Sequence, residues 1–143
     1  MKRTARATWK GSGMEGSGTL DTQSGVLKKH PYSVKTRFEN EDGKMGTNPE
    51  ELIAAAHAGC FAMALSVELG KEGFTPESLN AEAVLSLDKV DEGWSITKIV
   101  LNLDAQVPEI SEEQFHDIAN GAKKGCPVSK VLNCEIELNY TLN

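Results

Sequence analysis

"GTNPEELIAAAHAGCFAMALS", residues 46–66, decides how the rest of the chain is read. Asn48 is a good N-cap, Pro49 suits the first helical position because it lacks the N–H that would be orphaned there, and Glu51 falls at the third position. A helix is predicted from this point to about Gly70, where glycine is apt to close it. Leu52, Ala55, Ala56, Gly59, Met63 and Val67 recur at spacings of three and four and are expected to form its buried face. Ala55, Ala56 and Gly59 carry almost no bulk, so another element can come very close there. Cys60 sits in the middle of this helix.

Upstream, the chain reads as strands and turns. "TARATWKG" (4–11) is a short strand and "GSGMEGSG" (11–18) a flexible turn. "YSVKTRF" (32–38) alternates Tyr32, Val34, Thr36 and Phe38 with Ser33, Lys35 and Arg37, which predicts a strand with one buried face. "ENEDGKMG" (39–46) is a polar loop.

Downstream, "SLNAEAVLSLDKV" (78–90) and "WSITKIVLNLDAQV" (94–107) predict two strands joined by the hairpin signal Asp91-Glu92-Gly93. "SEEQFHDIANGAKKG" (111–125) predicts a second helix. Ser111 caps it, Gln114 is the return partner, and Phe115, Ile118, Ala119 and Ala122 form its stripe. "CPVSKVL" (126–132) is a helical turn opened by Pro127, and "CEIELNYTL" (134–142) a closing strand. Strands arranged in hairpins and separate blocks predict an α+β fold rather than a wound parallel sheet.

A chain of 143 residues predicts one domain, spanning 1–143, large enough to build a core without disulfides or metals. A net charge of −6 argues against general nucleic-acid binding, which wants a basic face. No apolar run is read as approaching the roughly 20 residues of a membrane span. The basic start MKRTARATWKG lacks the apolar stretch of a secretory signal. A cytoplasmic, reducing location with no membrane partner is the expectation.

Three cysteines, Cys60, Cys126 and Cys134, do not make a disulfide framework in such a compartment, and their spacing fits no zinc knuckle. Cys134 alternates with Ile136, Leu138 and Tyr140 and reads as a small buried hydrophobe. Cys126 precedes Pro127 at the start of a helical turn, where N–H groups stabilise a thiolate, with Lys123 and Lys124 nearby. Cys60 lies too deep in its helix for that helix's own terminus to act on it, and on local evidence it reads as a packing residue. His57, three residues earlier, is a neighbour on the helix face. It opens two further readings, a Cys–His nucleophile pair or a metal site with Cys60 and Cys126.

The segments "SGVL", "PYSVKTRFE", "GTNPEELIAAAHAGCFAMALS", "GFTP", "LDKVDEGWSITKI" and "KGCPVSKVL" together resemble the OsmC/Ohr family of peroxiredoxin-like proteins, from about Trp9 to the last strand. The placement of Arg37 within "YSVKTRF" points to the OsmC branch rather than the Ohr branch. The resemblance implies an intertwined homodimer in which antiparallel sheets wrap around two central helices, with active sites at the subunit interface. It implies a cofactor-free, metal-free cysteine peroxidase that prefers organic hydroperoxides to hydrogen peroxide. Cys60 would be the peroxidatic cysteine, Cys126 the resolving one, and Arg37 and Glu50 the residues that activate Cys60. A dithiol, of lipoyl type by family behaviour, would reset the disulfide. The family pattern does not lead one to expect a cysteine at position 134.

Glu50 and Cys60 are ten residues apart on one predicted helix, about 15 Å along its axis. Their side chains cannot meet within one chain, so a shared active site would take Glu50 from the partner subunit. The alternative from another class is a non-catalytic redox-sensing or ligand-binding module that uses the same cysteine pair.

Overall fold

The computed structural model describes residues 1–143. The chain forms two compact units, Met1–Leu52 and Ile53–Asn143, each described by itself.

In the first unit, β1 (Ala5–Lys10), β2 (Ser17–Thr22) and β3 (His30–Tyr32) form an antiparallel meander in the order β1-β2-β3. Gly18 permits the rings of Trp9 and Tyr32 to meet across β2, their centroids 5.5 Å apart. A Cβ at Gly18 would lie 2.5 Å from the Tyr32 ring and 2.8 Å from that of Trp9.

The chain then departs from the predicted strand over 32–38. β3 ends at Tyr32, and α1 (Val34–Phe38) is helical. The cause is a capping box: the Ser33 hydroxyl accepts from the Thr36 N–H at 3.2 Å, and Thr36 Oγ1 accepts from the Ser33 N–H at 2.9 Å. In a segment this short, the alternation of apolar and polar residues carries less weight than the cap.

The long helix α2 (Pro49–Lys71) is the element that the opening segment predicts. Asn48 Oδ1 accepts from the Glu51 N–H at 2.8 Å. The Glu51 carboxylate accepts from Thr47 Oγ1 at 2.6 Å instead of reaching back to Asn48.

In the second unit, β4 (Ser78–Val90) and β5 (Gly93–Gln106) form a long hairpin, with Asp91 at φ 55° in the turn. Helices α3 (Glu112–Gly125) and α4 (Pro127–Val131) follow, and β6 (Glu135–Leu142) closes the sheet in the order β4-β5-β6. The β5–β6 pairing is parallel, so this sheet is mixed and not the antiparallel sheet expected. The chain leaves β5 through α3 and α4 and returns along the same direction, as a helical crossover does. With two three-stranded sheets and four helices, the architecture is α+β.

The core lies on one face of the second sheet. Ile99, Leu101, Leu103 and Ala105 point inward from β5 with a period of two. Phe61, Leu65 and Leu69 of α2 and Phe115, Ala119 and Ala122 of α3 pack against them. The buried stripe of α2 is therefore His57, Phe61, Leu65 and Leu69. The predicted face is the outward one: Ala55, Ala56 and Gly59 are exposed, and Met63 and Val67 are 70% and 54% exposed. An almost wholly apolar helix has two candidate faces at helical spacing, and periodicity does not choose between them. For the same reason α2 is long and apolar enough, by length and composition, to cross a membrane, contrary to the expectation from the sequence. Its inward face is that of a core helix.

Candidate active site

Capping and stacking set the first pair of functional side chains, both in the N-terminal unit. Arg37 occupies the last turn of α1, its guanidinium 4.9 Å over the Phe38 ring. It donates to Glu50, in the first turn of α2. Nε lies 3.1 Å from both carboxylate oxygens, and Nη2 lies 2.5 Å from Oε1. A forked bond of this kind fixes the orientation of the guanidinium as well as its position. With the Arg37 side chain 36% exposed, solvent screens the attraction, and the net stabilisation is about 1 kcal/mol or less. The pair positions Arg37 more than it holds the fold together.

The second pair lies in the C-terminal unit. Cys60 projects half-buried from the middle of α2. Cys126, fully buried, ends α3 and begins α4. All three cysteines are reduced. The Cys60 and Cys126 side chains share a hydrogen bond. Burial opposes ionisation of Cys126. The Cys60 thiol, the N–H and hydroxyl of Ser129 and the N–H of Val128 outweigh it, and the Cys126 thiol is held below its ordinary value. Cys126 makes no side-chain cap hydrogen bond to α4; these groups act on the charge of the sulfur. Cys60 is pushed up, first by burial and then by donating its proton to Cys126. Within the reduced pair, Cys126 is therefore the sulfur on which negative charge is favoured and Cys60 the one on which it is disfavoured. The two lysines expected beside Cys126 do not supply this effect, and Lys123 donates to the Ile136 carbonyl at 3.3 Å.

His57 is fully buried on α2, and its Nε2 lies 2.8 Å from the Ser129 hydroxyl. Nδ1 is buried without a hydrogen-bond partner. The imidazole is therefore bonded to Ser129 and not to Cys60, which removes the geometry that a Cys–His nucleophile pair needs. No group of three His, Cys, Asp or Glu side chains is placed to hold a metal ion. Cys134 packs beside Ile136, Leu138 and Tyr140 against the core, and burial pushes its thiol up, as a small buried hydrophobe would behave.

Sequence reasoning missed Ser129. The spacing Cys126-x-x-Ser129 is that of an N-cap and the third helical position, a signal that could have found it. Its bond to His57, across 72 residues, has no sequence signature. Phe38 and Met45 line one open depression of the N-terminal unit with Asn40 and the acidic Glu39, Glu41 and Asp42.

A family model described as OsmC-like protein matches residues 40–141. The chain is 54% identical over 140 residues to peroxiredoxin OsmC of Escherichia coli (strain K12), covering 98% of this chain and 96% of that protein. It is 27% identical over 140 residues to the organic hydroperoxide resistance protein OhrB of Bacillus subtilis (strain 168), covering 97% and 96%. The crystal structure of that OhrB superposes with a TM-score of 0.69 over 96% of this chain and 98% of that one. An OsmC-like protein from Vibrio cholerae, 21% identical, superposes with a TM-score of 0.78 over 99% of both chains. These identities place the chain nearer the OsmC branch. Arg37 lies within residues 32–38 as read, on helix α1 rather than on a strand.

Proposed function

The chain belongs to the OsmC-like protein family, and from that premise we propose that it is a thiol-dependent peroxidase that reduces organic hydroperoxides to alcohols, and hydrogen peroxide less well. The observation that carries this reading is the reduced Cys60–Cys126 pair, whose side chains are hydrogen-bonded to each other. A sulfenic acid and its resolving thiol require two neighbouring cysteine side chains of this kind.

Cys60 is the attacking sulfur because it is the less buried of the two. Once its proton has passed to Cys126, Cys60 S⁻ attacks the outer peroxide oxygen. The S–O bond forms, the O–O bond breaks, and the alkoxide takes the pair's proton to leave as the alcohol. Cys126 S⁻ then attacks the Cys60 sulfenic acid, forming the disulfide and releasing hydroxide. One shared proton and one hydroperoxide thus give one disulfide, one alcohol and one hydroxide. A dithiol, of lipoyl type, reduces the disulfide by exchange through a mixed disulfide.

Burial and the neighbouring sulfur hold Cys60 protonated, so a cation has to draw the negative charge onto it. Arg37 of the partner subunit, oriented by Glu50 of the partner subunit, is that cation. Along α2, Glu50 is ten residues from Cys60, about 15 Å, which supports a site completed across an intertwined dimer. The exposed apolar face of α2 supports the same assembly.

The test is consumption of an organic hydroperoxide with a dithiol reductant in the cytoplasmic pH range. Wild type turns over, Cys60→Ser does not, and Cys126→Ser completes at most one turnover with that reductant. A wild type that consumes no hydroperoxide leaves the cysteine pair as a sensing or binding module.

A further inference from the structure

The histidine at the inner face of α2 is out of place among Phe61, Leu65 and Leu69. An imidazole buried there costs more than an aliphatic side chain of similar size unless a hydrogen bond compensates it. Its only hydrogen bond is to Ser129, which stands beside Cys126. We propose that His57 is a positioning residue for Cys126: its Nε2–H donates to Ser129 Oγ, which leaves the hydroxyl proton of Ser129 directed at the Cys126 sulfur.

Proton counting fixes the direction of this chain. A serine hydroxyl has one proton and two lone pairs. If Ser129 donated to His57, it would have nothing left to give a thiolate, and the imidazole would carry its own proton on Nδ1. That N–H would then be buried with no acceptor, a rarer condition in proteins than an unfilled acceptor. With the proton on Nε2, only a lone pair goes unpaired. Burial also lowers the His57 pKa below its usual 6.5, which keeps the ring neutral at physiological pH. Neutral histidine does not compete with Arg37 as a source of positive charge. It orders a dipole.

Every element near Cys126 is consistent with this reading. From α2, the facing titratable groups are Cys60 and His57. From α3, Lys123 turns to the Ile136 carbonyl and Lys124 is exposed. On α4, Lys130 is exposed. Ser129 is the side chain, besides Cys60, that acts on the sulfur. His57 is bonded to Ser129 and not to Cys60, so its effect reaches the reaction through the Cys126 charge: it favours the Cys126 thiolate that displaces hydroxide from the sulfenic acid in the second step, and it opposes the proton transfer from Cys60 to Cys126 that precedes the first. That kinetic consequence rests on the peroxidase reading; the placement of the Cys126 charge does not.

The experiment is an NMR titration of the reduced, full-length protein with 13Cβ-labelled cysteine and 15N-labelled histidine and no peroxide present. The Cys126 midpoint is expected to rise by about one pH unit in Ser129→Ala and in His57→Leu, a tenfold loss of thiolate near neutrality. His57→Gln, which keeps a side-chain N–H donor, is expected to stay near wild type. The wild-type ring is expected to show the neutral Nε2–H tautomer. An unmoved midpoint in folded Ser129→Ala, an equal shift in His57→Leu and His57→Gln, or an Nδ1–H ring overturns the proposal. Ser129→Ala and the wild-type tautomer decide it even if His57→Leu fails to fold. A protein that consumes no hydroperoxide would sink the peroxidase reading and leave this titration interpretable.

Discussion

Arg37 and Glu50 illustrate how much one side-chain geometry carries. The fork between them uses Nε and Nη2 together, and an ammonium cannot reproduce it. Arg37→Lys is expected to keep the charge, lose the orientation and lower kcat/KM for an organic hydroperoxide by at least about tenfold, with melting temperature nearly unchanged because the pair is partly exposed. Steady-state kinetics beside a thermal melt checks both halves. His57 makes a separate claim about pH. Its folded pKa lies below the unfolded 6.5, so the unfolded chain takes up the proton first as pH falls. The stability it contributes is fully present above about pH 6.5 and is lost below it, with a slope approaching about 1 kcal/mol per pH unit. Urea midpoints measured from about pH 5 to 8 should show that slope in wild type and a shallower one in His57→Gln.

At the scale of elements, short-range chemistry proves stronger than alternation. The Ser33–Thr36 capping box converts an apparent strand into α1, and α1 is what presents Arg37 to Glu50. Ser33→Ala is expected to cost about 1 kcal/mol and to lower peroxidase activity through Arg37. The equivalent Ser111→Ala, which removes the cap of α3, should cost a similar amount with less effect on kcat. Comparing denaturation and turnover for the two variants separates a positioning effect from simple destabilisation. Caps are local, which is why the starts of α2 and α3 and the Pro127 turn were legible in the sequence to the residue. The β4–β5 hairpin was legible too, because its turn signal, Asp91-Glu92-Gly93, is equally local. The buried face of α2 was not, because alanine, glycine, methionine and phenylalanine around the whole helix leave the choice of face to what packs against it. The parallel partner of β5 was likewise hidden, since pairing across two intervening helices leaves no mark in either strand. The two cysteines were legible as a pair only through resemblance. Their contact joins the middle of one helix to the junction of two others.

At the scale of the whole molecule, the outward face of α2 poses a question that Gly59 answers. Ala55, Ala56, Gly59, Met63 and Val67 form an exposed apolar stripe of the kind that marks an interaction surface. A Cβ built at Gly59 meets nothing within 4 Å in the single chain. Judged on one chain alone, Gly59→Ala should stabilise the helix by about 1 kcal/mol, the difference in helix propensity. Judged on a dimer whose central helices approach over the small residues, the same methyl group intrudes on the contact and weakens assembly. The two cases predict opposite signs for one substitution. We expect the dimer: sedimentation equilibrium should show wild type as a dimer and Gly59→Ala as a weaker one, with Met63→Glu dissociated further by a charge that cannot be buried unpaired. Hydroperoxide turnover should fall in step with the dimer fraction, because Arg37 and Glu50 would reach Cys60 only across the interface. A monomeric wild type with full activity, or a Gly59→Ala that is only more stable, would return the stripe to solvent and require Arg37 to act within its own chain.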